Sequence, residues 1–253
     1  MRILERLNQG GSISVTDIVR EFGVSDMTVR RDLAELERGG LLERVHGGAV
    51  GLRRGPLTVV DDTEPVFEAR ARQNANRKAC IAEAAAQHLA GCKSVAFDLG
   101  TTVLAAARAM VQAGPDPQLR AFTNSLRVGQ LMARANVTTY MSGGVIRAEE
   151  MSLTGQDAVD GFSRYYFDAV LLGASGMTPE GVFDYSPEEA AVKSVFLQRS
   201  TERVLLMDST KFRRVSTVLI ATLPQISTLI TDAQPPPELA SVLDEAKVRV
   251  IIG

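Results

Sequence analysis

VSDMTVRRDLAEL, Val24–Leu36, sets two adjacent arginines inside a short amphipathic segment. Val29, Leu33 and Leu36 fall at i, i+4 and i+7, so a helix gathers them into one buried stripe. At about 100° per residue, Arg31 and Met27 lie opposite that stripe, with Thr28 and Arg30 on its flanks. Ser25 is placed to cap this helix, and Gly39 and Gly40 to end it. Upstream, a second helix starts after Ser14, with Asp17 at its third position as in a capping box. Ile18, Val19 and Phe22 face inward, and Gly23 supplies the turn between the helices. A first helix is expected over Arg2–Leu7. Downstream, LLERVHGGAV reads as two short strands around His46, Gly47 and Gly48. The order is helix, turn, capped helix, wing.

A helix whose N-terminal half exposes Ser25, Met27, Thr28, Arg30 and Arg31 suits a DNA major groove. Arginine donates two hydrogen bonds to guanine or binds phosphate, and Ser and Thr reach phosphate or base edges. Spacing does not assign either arginine to one role. The bland alternative is an exposed polar face on a small helical bundle. The whole helix–turn–helix–wing order favours DNA. His46 has three readings: a phosphate contact, a hydrogen bond within the wing, or an exposed side chain. No partner supports a metal there.

The chain has 253 residues, 45% of them apolar, which suits a small domain followed by a larger one. Its 28 basic and 30 acidic residues give a net charge of -2, so any DNA contact must be a local patch. Two cysteines, Cys80 and Cys92, are too few for a disulfide framework and form no CxxC, so a reducing cytoplasm is expected. No cofactor or metal is expected. The N-terminus has no signal-like apolar run, and no stretch of about 18 apolar residues implies a membrane span.

We read residues 1–52 as a winged helix-turn-helix domain, 53–64 as a linker, from the turn-prone stretch RRGPLTVVDDTEP with its two prolines and clustered Asp, and 65–253 as a larger α/β domain. The last opens on one long helix, Pro65 to Leu89. Short apolar runs then alternate with helical segments: SVAFD, RAFT, VTTYM, DAVLLG, RVLLMD, TVLIA, STLITD and VRVII. That alternation marks an α/β sheet, mostly parallel. Five of the runs end in small or polar residues: LGTT, NS, SGG, GASG and DSTKF. Ligands of open α/β sheets bind at the carboxyl ends of strands. Gly100, Thr101 and Thr102, ahead of a helix, make a candidate phosphate cradle. Lys193 and Lys211 offer cations. Asp98, Asn124 with Ser125, Glu188 and Glu189 offer groups for hydroxyls. Each piece alone is ordinary turn or cap chemistry; their convergence on one sheet edge is the argument. Arg70, Asn74 and Lys78 recur every four residues on one helix face, either solvated or contacting the sensor or a partner subunit.

VTDIVREFGVSDMTVRRDLAELERGGLLERVHGGAV resembles the DNA-binding domain of the DeoR/GlpR family of bacterial transcriptional regulators. Family members carry several residues, often with a basic pair, ahead of the first helix; this chain opens almost at that helix. The remainder is similar to the family's sensor domain, through Arg70, Asn74 and Lys78 with IAEAAA, and through DLGTT, TNS, SGGVIR, SLTG, GASG, EEAAVK, DSTKF and LITD. The resemblance implies a sensor that shares its fold with ribose-5-phosphate isomerase and binds a phosphorylated sugar or polyol. It places phosphate on Gly100, Thr101 and Thr102 near Lys211, with Asn124, Gly143, Gly144, Glu188 and Lys193 lining the rest. FDYSPEE and TDAQPPP are reminiscent of the glycerol-3-phosphate repressor branch. The expected molecule is a homo-oligomer, dimer or tetramer, that represses by binding double-stranded operator DNA and is released by its phosphorylated effector. An activator on the same scaffold is a second reading. A third is an isomerase-like enzyme, although the chain lacks the acidic DGADE-type loop of the isomerase it resembles.

Overall fold

In the computed structural model, residues 12–38, 42–45, 48–51, 58–59 and 67–253 are described. The chain divides into two units, Met1–Pro56 and Leu57–Gly253.

In the first unit, Ser14 caps helix α1 (Val15–Phe22) by accepting the Asp17 N–H at 3.0 Å. Gly23 follows at φ 66°, the left-handed conformation that ends a helix most readily on glycine. Ser25 then accepts the Thr28 N–H at 3.2 Å where helix α2 (Asp26–Arg38) begins. Ile18, Val29 and Leu33 are each 1% exposed and, with Ile13, Val15 and Ala49, form a small core. Strands β2 (Leu42–Val45) and β3 (Gly48–Gly51) form the expected hairpin. A third strand, β1 (Ser12–Ser14), was not foreseen; it pairs antiparallel with β3. Gly48 is what lets it in, since a Cβ there would stand 2.2 Å from the Ile13 carbonyl oxygen. The segment read as a first helix, Gly39, Gly40 and His46 lie outside the described residues.

The second unit opens with β4 (Thr58–Val59), within the segment read as linker, and β4 pairs parallel with β14 (Arg214–Val215). The single helix expected over 65–89 is two helices, α3 (Phe67–Arg72) and α4 (Ala75–His88). Asn74 breaks them at φ 55°. Its side chain donates to Asp208 Oδ1 and Thr210 Oγ1, both at 3.2 Å. Asparagine tolerates the left-handed region better than most residues, and the distant acceptors hold it there.

Seven parallel strands follow: β5 (Ser94–Phe97), β6 (Arg120–Thr123), β7 (Thr138–Tyr140), β10 (Phe167–Gly173), β13 (Ser200–Leu206), β16 (Thr228–Thr231) and β17 (Arg249–Ile252). Their order across the sheet is β17-β16-β13-β10-β5-β6-β7. Alternate residues of a strand point to opposite faces, and here both faces are buried. Val95, Phe97, Ala169, Leu171, Val204 and Leu206 join α4, α5 (Thr101–Ala113) and α6 (Leu126–Arg134) in one core. Ala96, Val170, Leu172 and Leu205 join α7 (Gln156–Ser163), α8 (Pro187–Arg199) and α9 (Pro237–Glu245) in the other. The result is three layers, helices over both faces of a parallel sheet. One expected strand left the main sheet. TVLIA forms β15 (Val218–Ala221), antiparallel to β12 (Gly181–Asp184), which pairs in turn with β11 (Gly176–Thr178). A further hairpin joins β8 (Val145–Arg147) and β9 (Ser152–Thr154). Among the described residues, no helix is long and apolar enough to cross a membrane.

Candidate functional site

The α2 surface separates as its periodicity demands. Val29 and Leu33 are buried; Ser25, Met27, Arg30 and Arg31 are exposed, and Thr28 is half-buried. Ser25 Oγ and Thr28 Oγ1 are 2.8 Å apart, so these two hydroxyls share a proton bond at the helix start. The arginines are not equivalent. Arg30 forms an ion pair with Asp26 one turn back, whereas Arg31 is paired with no described residue. Met27 is 81% exposed.

In the larger unit the chain runs outward from β5 to β6 and β7, then returns to the other side of β5 as β10. The strand order therefore reverses between β5 and β10. At such a point the connections diverge above the carboxyl ends and leave a crevice. An open pocket lies there. Its walls come from three adjacent strand ends. Beyond β5 stand Leu99 to Thr102, beyond β10 Ala174 and Ser175, and at the end of β13 Leu206. Lys211, Asp184, Tyr185, Glu189, Lys193 and Arg70 complete the lining.

Gly100 is the N-cap of α5, with φ 122° and ψ 154°, a conformation essentially reserved for glycine. No side chain caps this helix. The first amides of a 13-residue helix thus face the pocket region with the positive end of the helix dipole. Lys211 also lines the pocket, its Nζ donating to the Ala174 carbonyl at 2.6 Å.

The pocket floor carries its own charges. Asp98 is fully buried beneath it and accepts the Gly173 N–H at 3.0 Å. Lys193, 1% exposed, forms ion pairs with Asp98 and, at 3.1 Å, with Asp184. Burial disfavours the ammonium, but the two carboxylates outweigh burial and hold Lys193 above the ordinary lysine range. It is a locked internal cation. Glu189 sits one helical turn before it. Burial, opposed by Lys193 and Arg147 and reinforced by Asp184, pushes its carboxyl up to about 7. Glu189 Oε1 accepts from Ser152 Oγ at 3.1 Å and pairs with Arg147 at 3.1 Å. Its Oε2 is buried with no hydrogen-bond partner among the described residues. Arg147 also lies 5.2 Å from the Tyr185 ring centre.

Of the expected effector residues, Gly100, Thr101, Thr102, Lys193 and Lys211 come together on this pocket, with Asp98 directly below Lys193. The others do not line it. Asn124 and Ser125 seat the β8–β9 hairpin: Asn124 O accepts the Leu153 N–H at 2.7 Å, and Ser125 caps α6. Gly143 and Gly144 lead into the same hairpin, and a Cβ on Gly144 would stand 2.4 Å from the Thr154 carbonyl oxygen. Glu188 is exposed; its own backbone amide and then the Ser186 hydroxyl hold its carboxyl below the usual range. The neighbouring Glu189 takes the inward place. The i, i+4 spacing of Glu189 and Lys193 carried that signal. Arg70, Ser175, Asp184 and Tyr185 are also in the lining and were not singled out for it. Among the described residues, no group of three or more His, Cys, Asp or Glu is placed to hold a metal ion.

The family described as the DeoR C terminal sensor domain matches residues 73–233, and the DeoR-like helix-turn-helix domain matches residues 1–54. The HTH-type transcriptional regulator GlpR of Haloferax volcanii is 32% identical over 253 residues, covering 100% of this chain and 96% of that protein. The glycerol-3-phosphate regulon repressor of Escherichia coli K12 is 29% identical over 250 residues, covering 98% and 95%. The L-fucose operon activator of Haemophilus influenzae is 29% identical over 252 residues, covering 99% and 97%. Among solved structures, ribose 5-phosphate isomerase A of Methanocaldococcus jannaschii superposes with a TM-score of 0.42 at 14% identity, over 55% of each chain; that likeness carries no argument about function.

Proposed function

The chain belongs to the DeoR family of DNA-binding transcriptional regulators, and from that premise we propose that it is a repressor released from its operator by a phosphorylated sugar or polyol. The observation that carries this reading is the α5 N-terminus, opened by Gly100 at the sheet's reversal point, with Lys211 lining the same pocket. Backbone amides, a helix dipole and an ammonium form a site for a phosphoryl group. The buried carboxylates and Ser175 then face the hydroxyls of a short carbon skeleton. Glycerol 3-phosphate is the first candidate, since a relative is named as the repressor of that regulon. The reader is α2: Arg31 and Met27 enter the groove, with Ser25, Thr28 and Arg30 beside them. Two copies would present two such helices to a repeated operator. The division at 52 and 65, with a linker between, belongs to the same proposal, as does a cytoplasmic setting.

Release requires the ligand to bind the DNA-competent and incompetent states unequally, because only differential affinity shifts an equilibrium. A thermal-shift screen of phosphorylated sugars and polyols, glycerol 3-phosphate included, tests the pocket. A ligand of the native state raises the melting temperature, and the same compound should dissociate the protein from promoter fragments. No shift with any phosphate ester sinks the proposal.

One observation favours a second reading. Glu189 is a pocket carboxyl pushed up to about 7, the range of a general base. Turnover of ribose 5-phosphate, lost in Glu189→Gln, would make the chain an isomerase. An activator role on the same scaffold is favoured by one relative's name; transcript levels in a deletion strain decide its sign.

A further inference from the structure

We propose that Arg70 is an exchangeable phosphoryl-binding residue: Glu150 holds it when the pocket lacks ligand, and a phosphorylated ligand takes it over. The idea rests on the phosphoryl-pocket reading above and adds the element that registers occupancy.

Arg70 stands on α3 and borders two places at once. It lines the pocket with Gly100, Thr101 and Lys211, and its Nη2 pairs with Glu150 Oε1. Glu150 occupies the turn between β8 and β9 and is 3% exposed. Its second oxygen, Oε2, is buried with no hydrogen-bond partner among the described residues. The pair is therefore single-pronged on the carboxylate side, weaker than the two-pronged fork that arginine and carboxylate form at their best. A phosphoryl group brings about -1.5 to -2 charge and three acceptor oxygens. At the α5 N-terminus it competes for the same guanidinium on better terms.

The exchange has a mechanical consequence. The Lys78 ammonium donates to the Arg70 carbonyl, so the α3 backbone stays tethered while the side chain turns. Glu150 is then left inside the fold without its cation, and an abandoned buried charge is costly. Its turn must then shift. That turn is attached to α3 a second time. Arg127 donates to the Glu150 carbonyl at 2.6 Å and to the Glu68 carboxylate at 2.8 Å, and lies 3.9 Å from the Phe67 ring centre. The β8 strand also delivers Arg147 to Glu189 on the pocket wall. Ligand in the pocket thus alters the grip of the hairpin on α3.

The test is calorimetric titration of the full-length protein with glycerol 3-phosphate, ribose 5-phosphate, fructose 6-phosphate and inorganic phosphate. Glu150→Gln removes the competing charge and keeps the shape. We expect about tenfold tighter binding of the ester that binds wild type, and about tenfold weaker binding in Arg70→Lys, which keeps the charge but loses the fork. A purely structural Arg70–Glu150 bond moves both variants the same way or neither, and that result overturns the proposal. Circular dichroism and melting temperature check that each variant folds; should Arg70→Lys fail to, the sign for Glu150→Gln alone decides. If wild type binds none of the four probes, the phosphoryl reading of the pocket fails instead, a separate outcome.

Discussion

Arg30 and Arg31 are neighbours with different circumstances. Asp26 already engages Arg30 from the preceding turn, and both side chains are exposed, so that pair contributes little to stability. Arg31 projects from the face opposite Val29 and Leu33. Arg31→Ala is expected to weaken operator binding by about 1–3 kcal/mol, read by fluorescence anisotropy on a promoter fragment, with ligand affinity unchanged. Equal losses for Arg30→Ala and Arg31→Ala would mean that the Asp26 pairing does not set the two arginines apart. Glu189 supplies a second residue-level expectation. Its folded carboxyl titrates near 7, against 4.5 for an ordinary glutamate. The native state therefore binds a proton that the unfolded state has released between those values. Stability from this group is present below about pH 4.5, falls as pH rises toward 7 and stays low above it. Glu189→Gln should remove up to about 3 kcal/mol of that pH dependence, measured as the wild-type-minus-variant difference in urea unfolding from pH 5 to 8. A difference that does not change with pH would show that the carboxyl is not displaced.

At the level of elements, local grammar was a good guide where local interactions decide. Ser14 and Ser25 cap the helices their positions announced, and Gly23 turns between them. It failed where a distant partner decides. Nothing near Asn74 breaks a helix; its acceptors lie on Asp208 and Thr210. TVLIA has the composition of a core strand, and only its pairing with Phe183 and its neighbours places it in the small antiparallel sheet. SIS at 12–14 is too short to show a period, and its strand exists because Gly48 admits it. The pocket shows the same division. The GTT signal is local and readable, whereas the preference for Glu189 over Glu188 follows from how α8 is rotated against the sheet. Asn74→Ala tests the break between α3 and α4. If distant bonds impose it, the variant loses them and puts alanine in the left-handed region, costing about 2 kcal/mol. Asn74→Gly, free of the second penalty, should cost about 1 kcal/mol. A neutral Asn74→Ala in urea denaturation would mean that the helix can simply run straight.

For the whole molecule, the alternation of short apolar runs with helices made the three-layer α/β unit legible before any coordinates. Burial on both sides explains why runs such as DAVLLG contain few polar residues. The strand order could not be read this way, because β5 and β10 pair directly while β6, β7, the β8–β9 hairpin and three helices lie between them in the chain. That order also sets a schedule for the newborn protein. Helix α2 leaves the ribosome early, but the pocket needs contributions from Arg70 through Lys211. At roughly 5–20 residues per second, each new copy passes through an interval of about ten to thirty seconds in which its reader has been made and its chemical ear has not.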